Sequence, residues 1–151
     1  MYSRAGAWLA YAPIFGAQGF ALWQTWSRPP AYAWIASGCA IFACGFGLRL
    51  WSVRTLGRFF TMEIGIREGH ELVERGPYRV LRHPSYTGYL LILAGIAVAY
   101  RSWIALAVPV AVTGIFLASR IRQEERMLAQ AFGPAYFEYR KRTYRLIPYV
   151  F

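Results

Sequence analysis

The chain of 151 residues contains no aspartate, and its acidic groups are seven glutamates. Lysine is almost missing too: Lys141 stands alone beside 16 arginines. Two separated histidines, His70 and His83, and scattered glutamates do not supply the closely spaced donors of a metal site, so a metal centre is not expected. The only cysteines, Cys39 and Cys44, lie within one apolar run, form no C-x-x-C pair and have no histidine nearby. They read as small buried hydrophobes and not as redox or ligand groups. No G-x-G-x-x-G and no P-loop is present. No serine or cysteine has a base and an orienting partner in a recognisable pattern, which removes the support for covalent catalysis. A cleavable signal is not expected, because Arg4 is a weak basic start and no small-residue site closes a short apolar core. The first segment is therefore expected to remain as an anchor.

What is abundant is apolar surface and positive charge. Hydrophobic residues make up 57% of the chain and the formal net charge is +10. Mean hydropathy is +0.29, above the usual level for a soluble domain. A basic, aromatic-rich chain can address nucleic acid or an anionic membrane. Here the aromatics lie in or beside apolar runs, so the membrane is the expected partner and nucleic acid is not.

Four apolar segments predict an all-α integral-membrane fold of about four transmembrane helices. The first runs from about Ala5 to Trp26 and the second from Ala31 to Trp51, each long enough to cross a bilayer core. Ser27-Arg28-Pro29-Pro30 breaks the chain between them. The third, Ser85 to Tyr100, and the fourth, Trp103 to Ser119, are joined by Arg101-Ser102 as a helical hairpin. Their shortness leaves room for tilt or for a polar pocket at one end. A single domain over residues 1–151 is expected, with two N-terminal spans in 1–51 and a catalytic region in 52–151 that includes the hairpin. Gly38, Gly45 and Gly47 permit close helix packing, whether within or between chains.

Charge asymmetry sets the orientation. Arg28 and Arg101 are the only basic residues in the two short turns. The remaining basic residues and all seven glutamates lie in the N-terminus, the 49–82 segment or the tail from Arg120, apart from the N-terminus carrying no acid. Both termini and the polar segments are thus predicted on the cytoplasmic side. Leu50 to Met62 reads as a continuation of the second helix. Gly69 and Gly76-Pro77 bracket a short extended piece, Leu72-Val73, better suited to a β-like hairpin or ordered loop than to a helix. The fourth helix is predicted to run on past Arg120 to near Phe132-Gly133-Pro134, followed by a short interfacial helix from Ala135 to Lys141.

The densest polar motif is Arg82-His83-Pro84-Ser85-Tyr86-Thr87-Gly88, at the mouth of the third apolar run. Proline suits the first turn of a helix, and free N–H groups there favour an anion. Arg120 and Glu124 share a helix face at i, i+4, which on spacing alone is an ordinary surface pair worth ~0.3–0.5 kcal/mol. Glu125, turned about 100° away, is expected to pair with Arg122 on the solvated side. His83 alone fits a polar group satisfied at a helix start, and His70 a solvated loop residue. Taken together, His70 to Tyr78, Arg82 to Tyr86 and Arg120 to Glu124 adjoin span ends on one face and outline a pocket for a polar cofactor and a lipophilic substrate.

In three ordered parts the chain resembles the isoprenylcysteine carboxyl methyltransferase family, including its small prokaryotic members. These are His70-x-Leu72-Val73-x-x-Gly76-x-Tyr78, then Arg82-His83-Pro84-x-Tyr86-x-Gly88. The third is Glu124-Glu125-x-x-Leu128 with Phe132-Gly133-x-x-Tyr136-x-x-Tyr139 and Ile147-Pro148. The resemblance spans roughly Leu56 to Pro148. It implies methyl transfer from S-adenosyl-L-methionine in a prokaryotic inner membrane, in a pocket formed by a cytoplasmic loop, helix starts and a helical tail, without a Rossmann domain. By position, His70, Glu71, Leu72, Val73, Tyr78, His83, Pro84, Ser85, Tyr86 and Glu124 would bind the cofactor. Arg120 would hold the substrate carboxylate, so Arg120 and Glu124 are the catalytic candidates. Glu63 matches a polar cofactor contact less well. The expected acceptor is an isoprenylcysteine-like or isoprenoid acid. A phospholipid amine acceptor, an NADPH-dependent membrane reductase and a non-enzymatic membrane interaction protein are the alternatives.

Overall fold

A computed structural model describes the backbone of residues 4–27, 31–60 and 71–148, with side chains from residue 12 onward. Glu63 and His70 lie outside the described residues. Among the described residues five α-helices follow in order: α1 (Arg4–Trp26), α2 (Tyr32–Leu56), α3 (Pro84–Ala99), α4 (Ile104–Phe132) and α5 (Pro134–Lys141). Short 3-10 turns occur at Gly57–Phe59 and Gly76–Arg79. Among the described residues the only β-type pairing is a single parallel bridge between Leu81 and Tyr144. The fold is all-helical, as the apolar runs require, and the ordered-loop alternative holds for residues 71–83.

The helix limits follow local chemistry. Pro84 opens α3 at the position where a missing N–H costs nothing. Gly133, at φ +50°, separates α4 from α5, and Pro134 starts α5. Arg101 turns between α3 and α4 at φ 50°, an uncommon conformation for a residue with a side chain. The 28 residues Tyr32–Phe59 and the 29 of Ile104–Phe132 are long and apolar enough to cross a bilayer. α3 has 16 residues and so rises ~24 Å, short of a full bilayer core of about 30 Å.

Packing divides the chain into two compact units, one of Met1–Gly45 with Leu90–Phe116 and one of Phe46–Tyr89 with Leu117–Phe151. In the first, small residues point inward: Ala21, Ala97 and Ala105 form its centre, with Tyr100 against them. Large apolar residues point outward, among them Phe15, Trp23, Trp34, Ile35, Phe42 and Ile115. This reverses the pattern of a water-soluble core and matches helix packing in lipid, where small residues allow close approach. A Cβ on Gly38 would lie 2.6 Å from the Gly95 carbonyl oxygen, and one on Gly95 2.6 Å from the Phe42 nitrogen. α2 and α3 therefore touch through their backbones at this crossing. Gly47 has no such neighbour among the described residues. Cys39 and Cys44 are exposed, contrary to expectation: each sits next to a buried glycine of α2, Gly38 and Gly45, and outside the buried stripe. Two hydrogen bonds add polar ties: Gln18 Nε2 donates to the Ala105 carbonyl at 3.1 Å, and Thr25 Oγ1 to the Tyr100 carbonyl at 2.9 Å.

Candidate active site

The candidate site lies wholly in the second unit. Its loop wall begins at Gly76, where φ is +58° and a Cβ would meet Thr55 Oγ1 of α2 at 2.9 Å. Both restrictions call for glycine. Pro77 and Tyr78 are buried behind it. Residues 80–83 are then stapled to the C-terminal tail. Tyr144 N–H donates to the Val80 carbonyl (2.9 Å), Arg82 N–H to the Tyr144 carbonyl (2.8 Å) and His83 N–H to the Arg145 carbonyl (3.2 Å). Thr87 Oγ1 donates to the Leu146 carbonyl at 2.7 Å, and Tyr139 Oη to the Tyr78 carbonyl at 2.9 Å.

Beneath this wall sits Glu125, only 8% exposed. Arg82 Nε donates to its Oε1 at 3.0 Å, and Arg145 contacts both oxygens, Nε to Oε1 at 3.1 Å and Nη2 to Oε2 at 2.8 Å. Arg82 also donates from Nη1 to the carbonyls of Arg140, at 3.1 Å, and Thr143. Burial alone would raise the Glu125 pKa, but His83, Arg145 and Arg82 outweigh it and hold the carboxyl well below the usual carboxylate range. The expectation of a solvated Glu125–Arg122 pair is thus wrong. Ile121, Glu125, Leu128 and Phe132 recur at i, i+4, i+7 and i+11, an inward stripe that carries Glu125 with it. That spacing was the available signal. For Arg145 and Thr143 no local pattern existed.

Glu124 faces a different set of partners. Past the apolar 104–119 stretch of α4, Arg120 Nε donates to Glu124 Oε1 at 3.0 Å and to Tyr86 Oη at 2.7 Å. Tyr86 Oη in turn donates to Glu124 Oε1 at 2.5 Å. What spacing offered as a plain surface pair is a three-membered network. His83, 6% exposed, lies beside it with its ring stacked on Tyr86 at 5.6 Å between centroids. His83 Nδ1 is 3.4 Å from Glu124 Oε2, and Nε2 is 3.6 Å from Glu125 Oε1. Burial pushes the His83 pKa down, but the two carboxylates, Glu124 first, more than reverse this and keep the imidazole protonated above its ordinary value. Glu124 is lowered in spite of burial, by His83, Tyr86 and Arg120. The Tyr78 phenol is raised, by burial first and then by Tyr139 and Glu124.

The structure therefore brings Tyr86, His83, Arg120 and Glu124 together, with Tyr78 within electrostatic reach. Pro84 is fully buried at the α3 start. Ser85 is engaged by Arg49, whose Nη1 donates to its carbonyl at 3.3 Å and its Oγ at 3.2 Å. Leu72 and Val73 are half-buried and Glu71 is exposed, without an ion pair among the described residues. Glu74 binds Arg142 instead. The α3 start is less open to an anion than its sequence suggests: the N–H groups of His83, Tyr86 and Thr87 already bond to the carbonyls of Arg145, His83 and His83. The chemically available groups are thus a carboxylate held below its usual pKa, a guanidinium and a phenol at one place, beside an imidazole whose pKa two carboxylates raise.

Residues 36–130 match the model of the isoprenylcysteine carboxyl methyltransferase family. Protein-S-isoprenylcysteine O-methyltransferase B of Arabidopsis thaliana is 39% identical over 120 residues, covering 78% of this chain and 61% of the relative. The Saccharomyces cerevisiae protein-S-isoprenylcysteine O-methyltransferase is 30% identical over 115 residues, covering 75% of this chain and 48% of the relative. This chain thus spans under two thirds of the length of these relatives. The solved eukaryotic intramembrane Ras methyltransferase superposes with a TM-score of 0.80 at 22% identity, over 99% of this chain and 55% of that one. That likeness is one of fold.

Proposed function

The chain belongs to the isoprenylcysteine carboxyl methyltransferase family, and on that premise we propose that it transfers a methyl group from S-adenosyl-L-methionine to a lipophilic carboxylate, an isoprenylcysteine-like or isoprenoid acid. It is an integral membrane protein. In the proposal it lies in a prokaryotic inner membrane with both termini and the site cytoplasmic, as the arginine asymmetry favours. The observation that carries the reading is the network of Tyr86, Arg120, Glu124 and His83 at the polar ends of two membrane helices.

The donor set fits the cofactor. Its methionine part carries an ammonium, and Glu124 is an ionised, partly exposed carboxylate able to accept from it. Leu72, Val73 and Tyr78 offer apolar faces to the adenine, and His70, Glu71, His83, Pro84, Ser85 and Tyr86 complete the family's set. Bound there, the cofactor supplies an electrophilic methyl on a sulfonium.

The protonation states narrow the acceptor. A thiol, amine or phenol must lose a proton to a base. Glu124 is ringed by donors that lower its pKa, and His83 stands between two carboxylates in ion-pair range that raise its own, so both groups are already engaged and neither is an idle base. An acceptor that arrives already anionic needs none. Arg120, at the 36% exposed edge of the cluster, is suited to orient such a carboxylate. Positioning then supplies most of the rate enhancement.

Calorimetry on detergent-purified protein with S-adenosylhomocysteine and with NADPH tests the class. Binding of S-adenosylhomocysteine alone is expected; binding of NADPH alone would replace the reading with a reductase, and binding of neither with an interaction protein. Transfer of labelled methyl to S-farnesylcysteine and not to phosphatidylethanolamine is expected, and the reverse would make the acceptor an amine.

A further inference from the structure

Glu124 and Glu125 are adjacent in α4 and point to different partners, yet His83 stands in ion-pair range of both. We infer that Glu125 is a positioning residue for the cofactor site: acting through His83, it determines where the Glu124 carboxylate is held. This rests on the methyltransferase reading above.

Glu125 is the immobile member. It is buried and gripped by two guanidinium groups, Arg82 from the loop and Arg145 from the tail. Among the described residues, Tyr86 and Arg120 both hydrogen-bond Glu124 through Oε1. Its Oε2 faces His83 Nδ1. The direction of that second oxygen therefore depends on His83. The His83 backbone is held by its N–H bond to the Arg145 carbonyl, and the imidazole stacks on Tyr86.

The opposite ring nitrogen supplies the link. His83 Nε2 is fully buried and has no hydrogen-bond partner among the described residues. A buried charged N–H without a hydrogen bond is tenable only beside an opposite charge, and Glu125 Oε1 at 3.6 Å is that charge. The groups facing His83 are Glu124 and Glu125 from α4 and Tyr86 from α3, with Arg82 and Arg145 behind Glu125. Without the Glu125 charge, His83 would lie near two guanidinium groups with one carboxylate remaining. Its proton would pass to water, and Glu124 would lose its cationic partner at Oε2.

The test uses the full chain in detergent. Only two histidines are present, so labelled ring nitrogens give two sets of signals, assigned with His70→Gln. In the parent the His83 ring should titrate above the usual histidine value of about 6.5; a ring that titrates at or below that value overturns the inference with no variant needed. In Glu125→Gln the ring should titrate lower than in the parent. At a pH between the two measured midpoints S-adenosylhomocysteine should then bind the variant roughly tenfold more weakly, the scale of losing an outer supporting partner, with recovery below the variant's own midpoint. Arg145→Gln, which loosens the same buried cluster without touching the imidazole, should lower thermal stability and leave affinity independent of pH. Equal, pH-independent losses in Glu125→Gln and Arg145→Gln would mean that Glu125 only holds the fold. In a double-mutant cycle, Glu125→Gln should add nothing to His83→Gln; an additive loss would exclude action through His83. A parent that fails to bind S-adenosylhomocysteine would sink the methyltransferase reading, whereas the ring signals would still decide whether Glu125 controls His83.

Discussion

The Tyr86 hydroxyl donates to Glu124 Oε1 across 2.5 Å and joins the first turn of α3 to the charged end of α4. The same hydroxyl accepts from Arg120 Nε at 2.7 Å, so one phenol orders both proposed functional groups. Tyr86→Phe removes this junction while keeping the ring. A hydrogen bond to a charged group contributes about 1.5–3 kcal/mol, so affinity for S-adenosylhomocysteine should fall on the order of tenfold or more. Glu124→Ala should fall at least as far. Calorimetry reads both, and unchanged affinity in Glu124→Ala removes that residue from its proposed role.

Arg120 separates binding from turnover. Arg120→Ala should lower kcat/KM for a carboxylate acceptor by more than about tenfold, with a smaller effect on cofactor affinity. Arg120→Lys should rescue little, because an ammonium cannot replace the planar fork that reaches Tyr86 and Glu124 together. Steady-state kinetics with varied acceptor make the comparison. Full activity in Arg120→Lys would reduce its part to simple charge.

Arg82 is structural in its contacts. It reaches Glu125, the Arg140 carbonyl and the Thr143 carbonyl, and so ties loop, α4 and tail together. Replacing one partner of a buried ion pair costs about 3–5 kcal/mol, since the other charge is left buried. Arg82→Met should therefore lower the thermal midpoint in detergent by several degrees. A midpoint equal to the parent's would show that the tail is held by other means.

The α2–α3 crossing has no room for a side chain. Gly95→Val places its Cβ about 2.6 Å from the Phe42 nitrogen, and backbone cannot move aside as a flexible side chain can. A loss of at least ~1–3 kcal/mol is expected, read as a lowered midpoint or as loss of folded protein on size-exclusion chromatography. Gly47→Val, in open space, is the matched control, and a loss there equal to that of Gly95→Val would remove the close-approach explanation.

The pH dependence of stability has a definite sign. His83 is raised in the folded state, so its contribution is complete below the ordinary histidine value of 6.5 and disappears as pH rises through its higher folded value. Glu124 and Glu125 are lowered. Their contribution is complete above the ordinary 4.5 and is lost as pH falls through their lower folded values. Thermal midpoints should be highest between those limits and decline on both sides. His83→Gln should flatten the alkaline decline, and an unchanged alkaline limb would assign it to another group.

The Arg120–Glu124 pair was legible because four residues make about one helical turn. Its third member was not: Tyr86 lies 34 and 38 residues from the two, and no periodicity links them. The loop was legible as ordered, because Gly76-Pro77 restricts the backbone. Its partner, the tail at residues 144–146, was not, because a single bridge leaves no alternating pattern. Glu125 was misread from its charge, although the Ile121–Leu128 spacing around it pointed inward.

By itself, the sequence determined roughly where the helices lie, that the fold is all-helical with helices apolar enough for a bilayer among them, and that the polar motifs gather at helix ends. Those are local properties, set by run length, proline, glycine and residues one turn apart. Tertiary structure decided which charges meet. Arg82 reaches Glu125 across 43 positions and Arg145 reaches it across 20, and only the return of the tail onto residues 80–83 brings them within bonding distance. Coulombic pairing depends on that distance and on burial, which the order of residues along one helix does not contain.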